Sequence, residues 1–165
     1  MEQVILNETQ IENKCLRIAY QIIESNIEDH EIFLIGIDGN GFLLAKKLQN
    51  VLHEVSEKRV KIGKISLDKR NPLKGATCNI NKEEIQNKAL ILVDDVLQTG
   101  TTLMYGVKFF LDIPLKRFKT AVLVDRNHKK YPIKADFKGL SLSTSNQSKV
   151  EVRFKENEAQ AILIQ

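Results

Sequence analysis

Several residue types are scarce in this 165-residue chain, which has no tryptophan, two cysteines, three prolines and eight glycines. Cys15 and Cys78 lie far apart without the neighbours of a metal site, which excludes a disulfide scaffold and a common zinc motif. No apolar run approaches the roughly 18 residues of a membrane span. The N-terminus lacks the basic segment and long apolar stretch of a signal peptide. These absences favour a cytoplasmic protein without a membrane partner.

The composition is that of an ordinary globular protein, with 42% hydrophobic and 28% charged residues. Its length predicts a single domain over residues 1–165. The net charge of +4 suits a ligand with several phosphates and would equally suit weak contact with nucleic acid. The net charge alone does not decide between these two kinds of ligand.

Apolar periodicity predicts alternating helices and strands, and therefore an α/β fold with a mostly parallel central sheet flanked by helices. The predicted helices cover 8–25, 42–55 and 101–112, and the predicted strands 32–37, 60–67, 89–93 and 120–124, with shorter strands near 135–142, 149–154 and 160–164. Cys15 falls on the apolar face of the first helix, which predicts a core thiol.

Ligands of such sheets bind beyond the carboxyl ends of the strands. The loops predicted to leave those ends are 36–41, 68–88, 94–102 and 125–134. Residues 68–88 are too long for a bare connection and predict an active-site lid, with a hairpin or a disordered insertion as alternatives.

Residues 89–103 form the most informative segment. A buried strand ends at Asp94 and Asp95, and the turn Thr99-Gly100-Thr101-Thr102 follows and opens a helix. Backbone N–H groups of the turn, the helix dipole and the threonine hydroxyls favour a phosphate. Two adjacent carboxylates suit the paired hydroxyls of a ribose. The pattern therefore predicts a site for a ribose 5-phosphate group; the alternative is a plain strand–helix crossover with solvated acids.

This segment resembles the phosphoribosyl-pyrophosphate (PRPP) signature of type I phosphoribosyltransferases, which is an apolar strand, Asp-Asp, two or three residues, and Thr-Gly-x-Thr. The resemblance implies that family's α/β fold with a small hood over the active site. It also implies that Mg²⁺ is bound with PRPP rather than directly by the protein, and that the chain forms a homo-oligomer, a dimer or higher.

A longer stretch, Val122 to Phe137 followed by Gly139 and Ser143-Thr144-Ser145, is similar to one subgroup, the pyrimidine-operon attenuator/uracil phosphoribosyltransferases. That similarity implies transfer of the 5-phosphoribosyl group from Mg-PRPP to uracil, giving UMP and pyrophosphate. Gln98 stands where hypoxanthine-guanine relatives usually carry an acid. Because a carboxamide cannot act as a general base, Gln98 argues against a purine acceptor.

The resemblance also assigns roles to individual residues. Asp94 and Asp95 would bind the ribose hydroxyls, and Arg126 would contribute to the base pocket, with a surface ion pair as its alternative. The 5-phosphate is assigned to Gln98, Thr99, Gly100, Thr101 and Thr102, and the pyrophosphate to Asp38, Gly39, Asn40, Gly41, Lys69 and Arg70.

Two segments depart from the family pattern. The pyrophosphate turn commonly reads Thr-Arg-Gly, whereas this chain has Gly39-Asn40-Gly41 and so lacks a guanidinium there. The lid, Thr-Leu-Tyr-Arg-Asp in the family, is Ser66-Leu67-Asp68-Lys69-Arg70 here. These changes bear on the rate of catalysis rather than on nucleotide binding.

Two further hypotheses therefore stay open. One is a nucleotide-sensing regulator that binds RNA and has weak or no catalysis. Its basic face would draw on Lys46-Lys47, Lys58-Arg59-Lys61, Lys129-Lys130 and Lys134, although such charges are more often a solvated surface. The other hypothesis is a transferase for another base.

Overall fold

The structure is a computed structural model that describes residues 1–143, 147–156 and 158–165. Its strands are β1 (Glu2–Leu6), β2 (Glu31–Ile37), β3 (Arg59–Leu67), β4 (Ala76–Cys78), β5 (Ala89–Leu97), β6 (Arg117–Asp125), β7 (Phe137–Ser141), β8 (Lys149–Lys155) and β9 (Glu158–Ile164). Its helices are α1 (Glu8–Ser25), α2 (Asn40–Val55), α3 (Lys82–Ile85) and α4 (Thr101–Phe110), with a short 3-10 helix at Pro72–Lys74.

A six-stranded core sheet has the strand order β4-β3-β2-β5-β6-β7. Neighbouring strands are parallel except β4, which pairs antiparallel with β3. The central strands are buried on both faces, as their continuous apolar sequence predicts. The α/β fold with a mostly parallel, helix-flanked sheet is thereby confirmed.

Two apolar clusters cover the two faces of the core sheet. One contains α1 and α2, including Cys15, Ile18 and Leu48, and continues into the second sheet. The other contains α3 and α4, including Ile85 and Phe110. Burial raises the pKa of the Cys15 thiol to about 11, which fits the core thiol predicted from its position in α1.

The hood is a second, three-stranded antiparallel sheet with the order β1-β9-β8. It combines a segment that precedes the core strands with a hairpin that follows them. The expected hood therefore draws on both parts of the chain. Strand β1 was not predicted from the sequence, because its five residues show no clear alternation and their partner, β9, is far away in sequence.

Several predicted boundaries change in the structure. Strand β5 continues beyond Val93 to Leu97, so that both aspartates lie within a strand. Helix α2 begins at Asn40 instead of residue 42, and α4 ends at Phe110. Strand β6 begins at Arg117 rather than residue 120.

Residues 68–88 are also more ordered than a disordered insertion. They contain the 3-10 helix, β4 and α3, and β4 folds back on β3 as a hairpin strand, with Ile65 opposite Cys78. Within the described residues, no helix combines the length and the apolar character needed to cross a membrane.

Candidate functional site

Strand β5 places two adjacent carboxylates at the carboxyl end of the core sheet. Asp94 is buried, with 5% of its surface exposed, and its Oδ1 accepts a hydrogen bond of 2.9 Å from the Asp95 backbone N–H. Burial raises the pKa of Asp94 well above its usual range, and the adjacent Asp95 raises it further, while the charge of Lys69 opposes both. This arrangement keeps two acidic groups close together in an environment that disfavours two full charges.

The turn that follows opens helix α4 in a left-handed conformation. Gly100 has φ +82°, and a Cβ there would lie 2.3 Å from Ile133 Cγ2, so only glycine fits. The hydroxyls of Thr99 and Thr101 are 3.0 Å apart on the same side of the turn. The residues of the first turn of α4 line the same cavity as these hydroxyls, and the first N–H groups of a helix suit a phosphate.

The connection after β6 holds this turn through backbone hydrogen bonds. The Thr99 carbonyl accepts hydrogen bonds from the backbone N–H groups of Lys130, at 2.7 Å, and Tyr131, at 3.1 Å. The Tyr105 and Tyr131 rings meet edge to face. The predicted loop 125–134 therefore holds the turn in place through its backbone.

A cavity of about 400 Å³ lies over the carboxylates and the turn. The lining residues are Lys69, the run from Asp94 to Leu103, and Lys149, Val150, Glu151 and Val152 of the hood. The structure thus brings together Asp94, Asp95 and every residue assigned to the 5-phosphate. The four hood residues were missed by sequence reasoning, because nothing in their local pattern links β8 to the carboxyl end of β5.

The turn after β2 approaches the carboxylates closely. A Cβ on Gly41 would lie 2.8 Å from the Val93 carbonyl oxygen and 3.1 Å from Asp94 Oδ1, so glycine permits this approach. Asn40 Nδ2 donates to Asp95 Oδ2 at 3.1 Å and to the Val152 carbonyl at 2.8 Å. The turn is therefore joined both to the site and to the hood.

Asp38 and Gly39 lie further out. Asp38 Oδ1 accepts a hydrogen bond from the Gly39 backbone N–H at 2.9 Å and lies 3.6 Å from Lys64 Nζ. Gly39 has φ +93° and stands immediately before α2. Asp38 thus connects the ends of β2 and β3, and none of residues 38–41 is among those that line the cavity.

Of the two basic lid residues, the structure brings one to the cavity. Lys69 lines it, whereas Arg70 lies outside the lining and its backbone N–H donates to Asp68 Oδ1. Arg126 also lies outside the lining and is buried, with 5% exposure. Its backbone N–H donates to the Leu97 carbonyl at 3.0 Å, and burial lowers the pKa of its guanidinium.

The described residues contain no group of three His, Cys, Asp or Glu side chains that could hold a metal ion. Magnesium keeps several waters and is often bound through one or two carboxylates plus substrate phosphates. The Asp94 and Asp95 pair supplies such carboxylates beside a phosphate-binding turn. The donor set therefore fits Mg²⁺ that arrives with a phosphorylated ligand.

The basic segments of the sequence are partly used within the fold. Lys58 Nζ donates to the carbonyls of Asn26 and Asp29, and Lys61 forms ion pairs with Glu31 and Glu84. These residues lie at the amino ends of the core strands. Lys129, Lys130 and Lys134 follow β6 at the carboxyl ends of the strands, and Lys46-Lys47 lies within α2.

Comparison with known proteins identifies the family. The model of the phosphoribosyl transferase domain matches residues 3–157. Proteins named bifunctional protein PyrR are 30% identical in Pediococcus pentosaceus, covering 99% of this chain and 98% of the relative, and 32% identical in Staphylococcus aureus, covering 99% and 98%. The chain therefore belongs to the type I phosphoribosyltransferase family, and the resemblance to the pyrimidine-operon attenuator/uracil phosphoribosyltransferase subgroup is confirmed.

Solved structures show the same fold. A hypoxanthine-guanine phosphoribosyltransferase from Bacillus anthracis superposes with a TM-score of 0.73 at 22% identity, covering 86% of this chain and 83% of that one. A hypoxanthine phosphoribosyltransferase from Trypanosoma cruzi reaches a TM-score of 0.76 at 16% identity, covering 96% and 95%. At these identities the similarity concerns the fold and leaves the acceptor base open.

Proposed function

We propose that this protein transfers the 5-phosphoribosyl group of Mg-PRPP to a nucleobase, with uracil as the acceptor and UMP and pyrophosphate as products. One observation carries the proposal. The two carboxylates of β5 and the glycine-threonine turn before α4 line one cavity beneath the hood, which places acceptors for ribose hydroxyls and donors for a phosphate around the same space. Family membership supports the same reaction class.

The roles of the residues follow from their chemistry. Asp94 and Asp95 accept hydrogen bonds from the ribose hydroxyls, and the N–H groups and hydroxyls of Thr99, Thr101 and Thr102 bind the 5-phosphate. Lys69 lies beside the carboxylates and, with Arg70, supplies positive charge for the pyrophosphate, while the 38–41 turn contacts it through backbone N–H groups. Arg126 stays a candidate for the base pocket.

The reaction needs fixed geometry more than it needs a reactive side chain. A bond forms between N1 of the base and C1 of the ribose while the bond from C1 to the pyrophosphate oxygen breaks, and the proton of N1 passes to the released pyrophosphate or to solvent. Binding both ends of the ribose phosphate holds C1 in line for this displacement. Magnesium, when bound with PRPP, neutralises charge on the leaving pyrophosphate.

The acceptor is argued from position 98 and from sequence relatives. Gln98 lines the cavity and has no ionisable group that could serve a purine as general base. The relatives of about 30% identity are named PyrR. A cytoplasmic location, a homo-oligomer and a single domain remain predictions that accompany this function.

An assay with Mg-PRPP and a panel of uracil, orotate, hypoxanthine, guanine, adenine and xanthine tests the proposal. We expect UMP from uracil and little product from the purines. In the double variant Asp94→Asn/Asp95→Asn, we expect PRPP affinity to fall about tenfold or more, because two charged acceptors are lost. Turnover of another base alone would overturn the choice of uracil.

A matched control for that variant is Glu83→Gln/Glu84→Gln, which neutralises an adjacent acidic pair that is exposed on α3. The control should bind PRPP like the unmodified protein. An unchanged PRPP dissociation constant in the Asp94/Asp95 variant would contradict the assignment of the site.

A second function, a nucleotide-sensing RNA-binding regulator with weak catalysis, is favoured by one observation. The side chain of Asn40, in the turn where the family commonly has arginine, is engaged with Asp95 and Val152. Binding of UMP without turnover of any base would support the regulator. RNA gel shifts at several salt concentrations would then test it, since phosphate contacts weaken steeply with salt.

A further inference from the structure

Two carboxamides of the core domain donate to the same strand of the hood. Asn40, the first residue of α2, donates through Nδ2 to the Val152 carbonyl at 2.8 Å. Gln98, just after β5, donates through Nε2 to the Val150 carbonyl at 3.3 Å. Both acceptors belong to β8. Because Val150 and Val152 are two residues apart along the strand, their carbonyls point to the same edge of it.

That edge is otherwise unpaired within the described sheet. In the hood order β1-β9-β8, strand β8 pairs with β9 alone, and an edge strand leaves a row of backbone groups without ladder partners. Asn40 and Gln98 satisfy two of these carbonyls. The hood is thereby joined to the core sheet directly above the carboxylates.

Asn40 does more than hold the hood, because its amide makes a second hydrogen bond. The same Nδ2 lies 3.1 Å from Asp95 Oδ2, and an amide NH₂ has two hydrogens to give. Both are therefore used, one on the hood carbonyl and one on the carboxylate. We call this pair of contacts the Asn40 bridge.

We infer that Asn40 is a positioning residue whose bridge orients Asp95 for the ribose hydroxyls and ties Asp95 to strand β8 of the hood. The inference rests on the proposed function, since it takes Asp95 as a ribose ligand. Hydrogen-bonding Oδ2 of Asp95 leaves Oδ1 for the sugar. In this chain, residue 40 therefore acts on the ribose through Asp95, rather than on pyrophosphate through its own side chain.

Two classes of ligand separate these roles. UMP carries the ribose and the 5-phosphate but no pyrophosphate, whereas PRPP carries all three. If Asn40 acts through Asp95, its loss weakens both ligands by a similar factor. If its side chain binds pyrophosphate, its loss weakens PRPP and leaves UMP unchanged.

The test variant is Asn40→Asp, which keeps the size of the side chain and removes both donors. The new carboxylate would face the Asp95 carboxylate and the Val152 carbonyl, so both contacts of the bridge become repulsive. We expect the dissociation constants of UMP and PRPP, measured by calorimetry, to rise about tenfold each, the scale of a lost hydrogen bond to a charged group. Asn50→Asp, an exposed site on the same helix, is the matched control and should bind normally.

A double-mutant cycle with Asp95→Asn distinguishes positioning from general destabilisation. In the Asp95→Asn background the bridge has lost its carboxylate, so adding Asn40→Asp should weaken UMP binding by less than about twofold. Additive losses would show that Asn40→Asp weakens the ligand independently of Asp95, for example because its new carboxylate repels the phosphate, and would overturn the inference. Loss of PRPP binding alone, or normal binding of both ligands, would also overturn it.

The same data keep this inference apart from the proposed function. If Asp95→Asn binds UMP and PRPP normally, the ribose assignment fails. If Asp95→Asn weakens both ligands and Asn40→Asp weakens neither, only the role of Asn40 fails. Circular dichroism at the assay temperature establishes folding, and Asn40→Ala replaces Asn40→Asp in the cycle if the carboxylate variant does not fold.

Discussion

Asp94 is the residue at which function and stability conflict most directly. Its carboxyl group is buried at the end of β5 with Asp95 beside it. Burying an acid next to another acid costs free energy, because the charged form is desolvated and repelled. A group in such a place is typical of a binding or catalytic site rather than of a structural core.

The raised pKa of Asp94 predicts how the free energy of unfolding depends on pH. Because the folded state holds the proton of Asp94 more tightly than the unfolded state, the free energy of unfolding falls as pH rises from the unfolded pKa of ~4 through the higher folded pKa. Asp94→Asn removes this cost and keeps an oxygen for the Asp95 N–H. We expect the variant to be more stable by on the order of 1 kcal/mol at pH 7, with the gain vanishing near pH 3.

Urea unfolding at pH 3 and pH 7 would measure the effect. Asp112→Asn, an exposed aspartate after α4, is the control and should show little change at either pH. A lower stability of Asp94→Asn at pH 7 would mean that the carboxylate is stabilised by its surroundings.

Individual residues also mark the limit of sequence reasoning. Asp94, Asp95 and the threonine turn could be identified because they are contiguous and their spacing has a chemical meaning. Lys149 to Val152 and the partners of Asn40 could not, because their role depends on which strand lies above the cavity. The motif Ser143-Thr144-Ser145, used in the family resemblance, falls partly outside the described residues, which exclude 144–146.

At the scale of elements, prediction succeeded where a segment carries its own signal. Buried parallel strands such as β2 and β5 have continuous apolar runs, and α1 has a clear apolar face. Strand β1 lacks such a signal and exists because β9 pairs with it. The extension of β5 past Val93 has the same cause, since pairing of Leu97 with Asp125 of β6 outweighs the polar local sequence.

Helix α1 begins with a capping box that the chain uses to connect the hood to the core. The Asn7 side chain accepts from the Gln10 N–H at 2.9 Å, and the Gln10 side chain accepts from the Asn7 N–H at 2.9 Å. We expect Asn7→Ala to lower the free energy of unfolding by about 1 kcal/mol. The same change inside the helix, Asn13→Ala, should be neutral or slightly stabilising because alanine is the better helix former.

Thermal unfolding of the two alanine variants side by side would check this expectation. Equal losses in both would show that the cap adds nothing beyond the general effect of removing an asparagine. The comparison isolates the cap, since both positions belong to or adjoin one helix.

Across the whole molecule, charge is divided between the two ends of the core sheet. The ligand site occupies the carboxyl ends of the strands. At the amino ends, buried Asp29 forms ion pairs with Lys116 and Arg117. Burial alone would raise the pKa of Asp29, but the two cations outweigh it and lower the pKa. Asp29 therefore stabilises the fold above its unfolded pKa, and this stabilisation is lost as pH falls through the lower folded pKa.

We expect Asp29→Asn to lower the free energy of unfolding by about 1–2 kcal/mol at pH 7, allowing for the partial exposure of both cations. The difference should shrink below about pH 4, as the unmodified carboxylate is protonated. PRPP affinity should not change, because these ion pairs lie at the amino ends of the core strands, whereas the site lies at their carboxyl ends. Denaturation and PRPP calorimetry would measure both quantities, with the exposed Glu57→Gln as control; weaker PRPP binding would contradict the separation.

The make-up of the hood has a consequence for synthesis on the ribosome. Strand β1 precedes all core strands, whereas β8 and β9 follow them. Strands β2 to β6 can pair as they emerge, but β1 has no partner until β9 has been made. In a nascent chain, the Asp94/Asp95 pair and the phosphate turn are therefore present before the hood above them has formed. A ligand that also contacts Lys149 to Val152 of β8 binds fully only after the hood has docked, and it therefore favours this last step of folding.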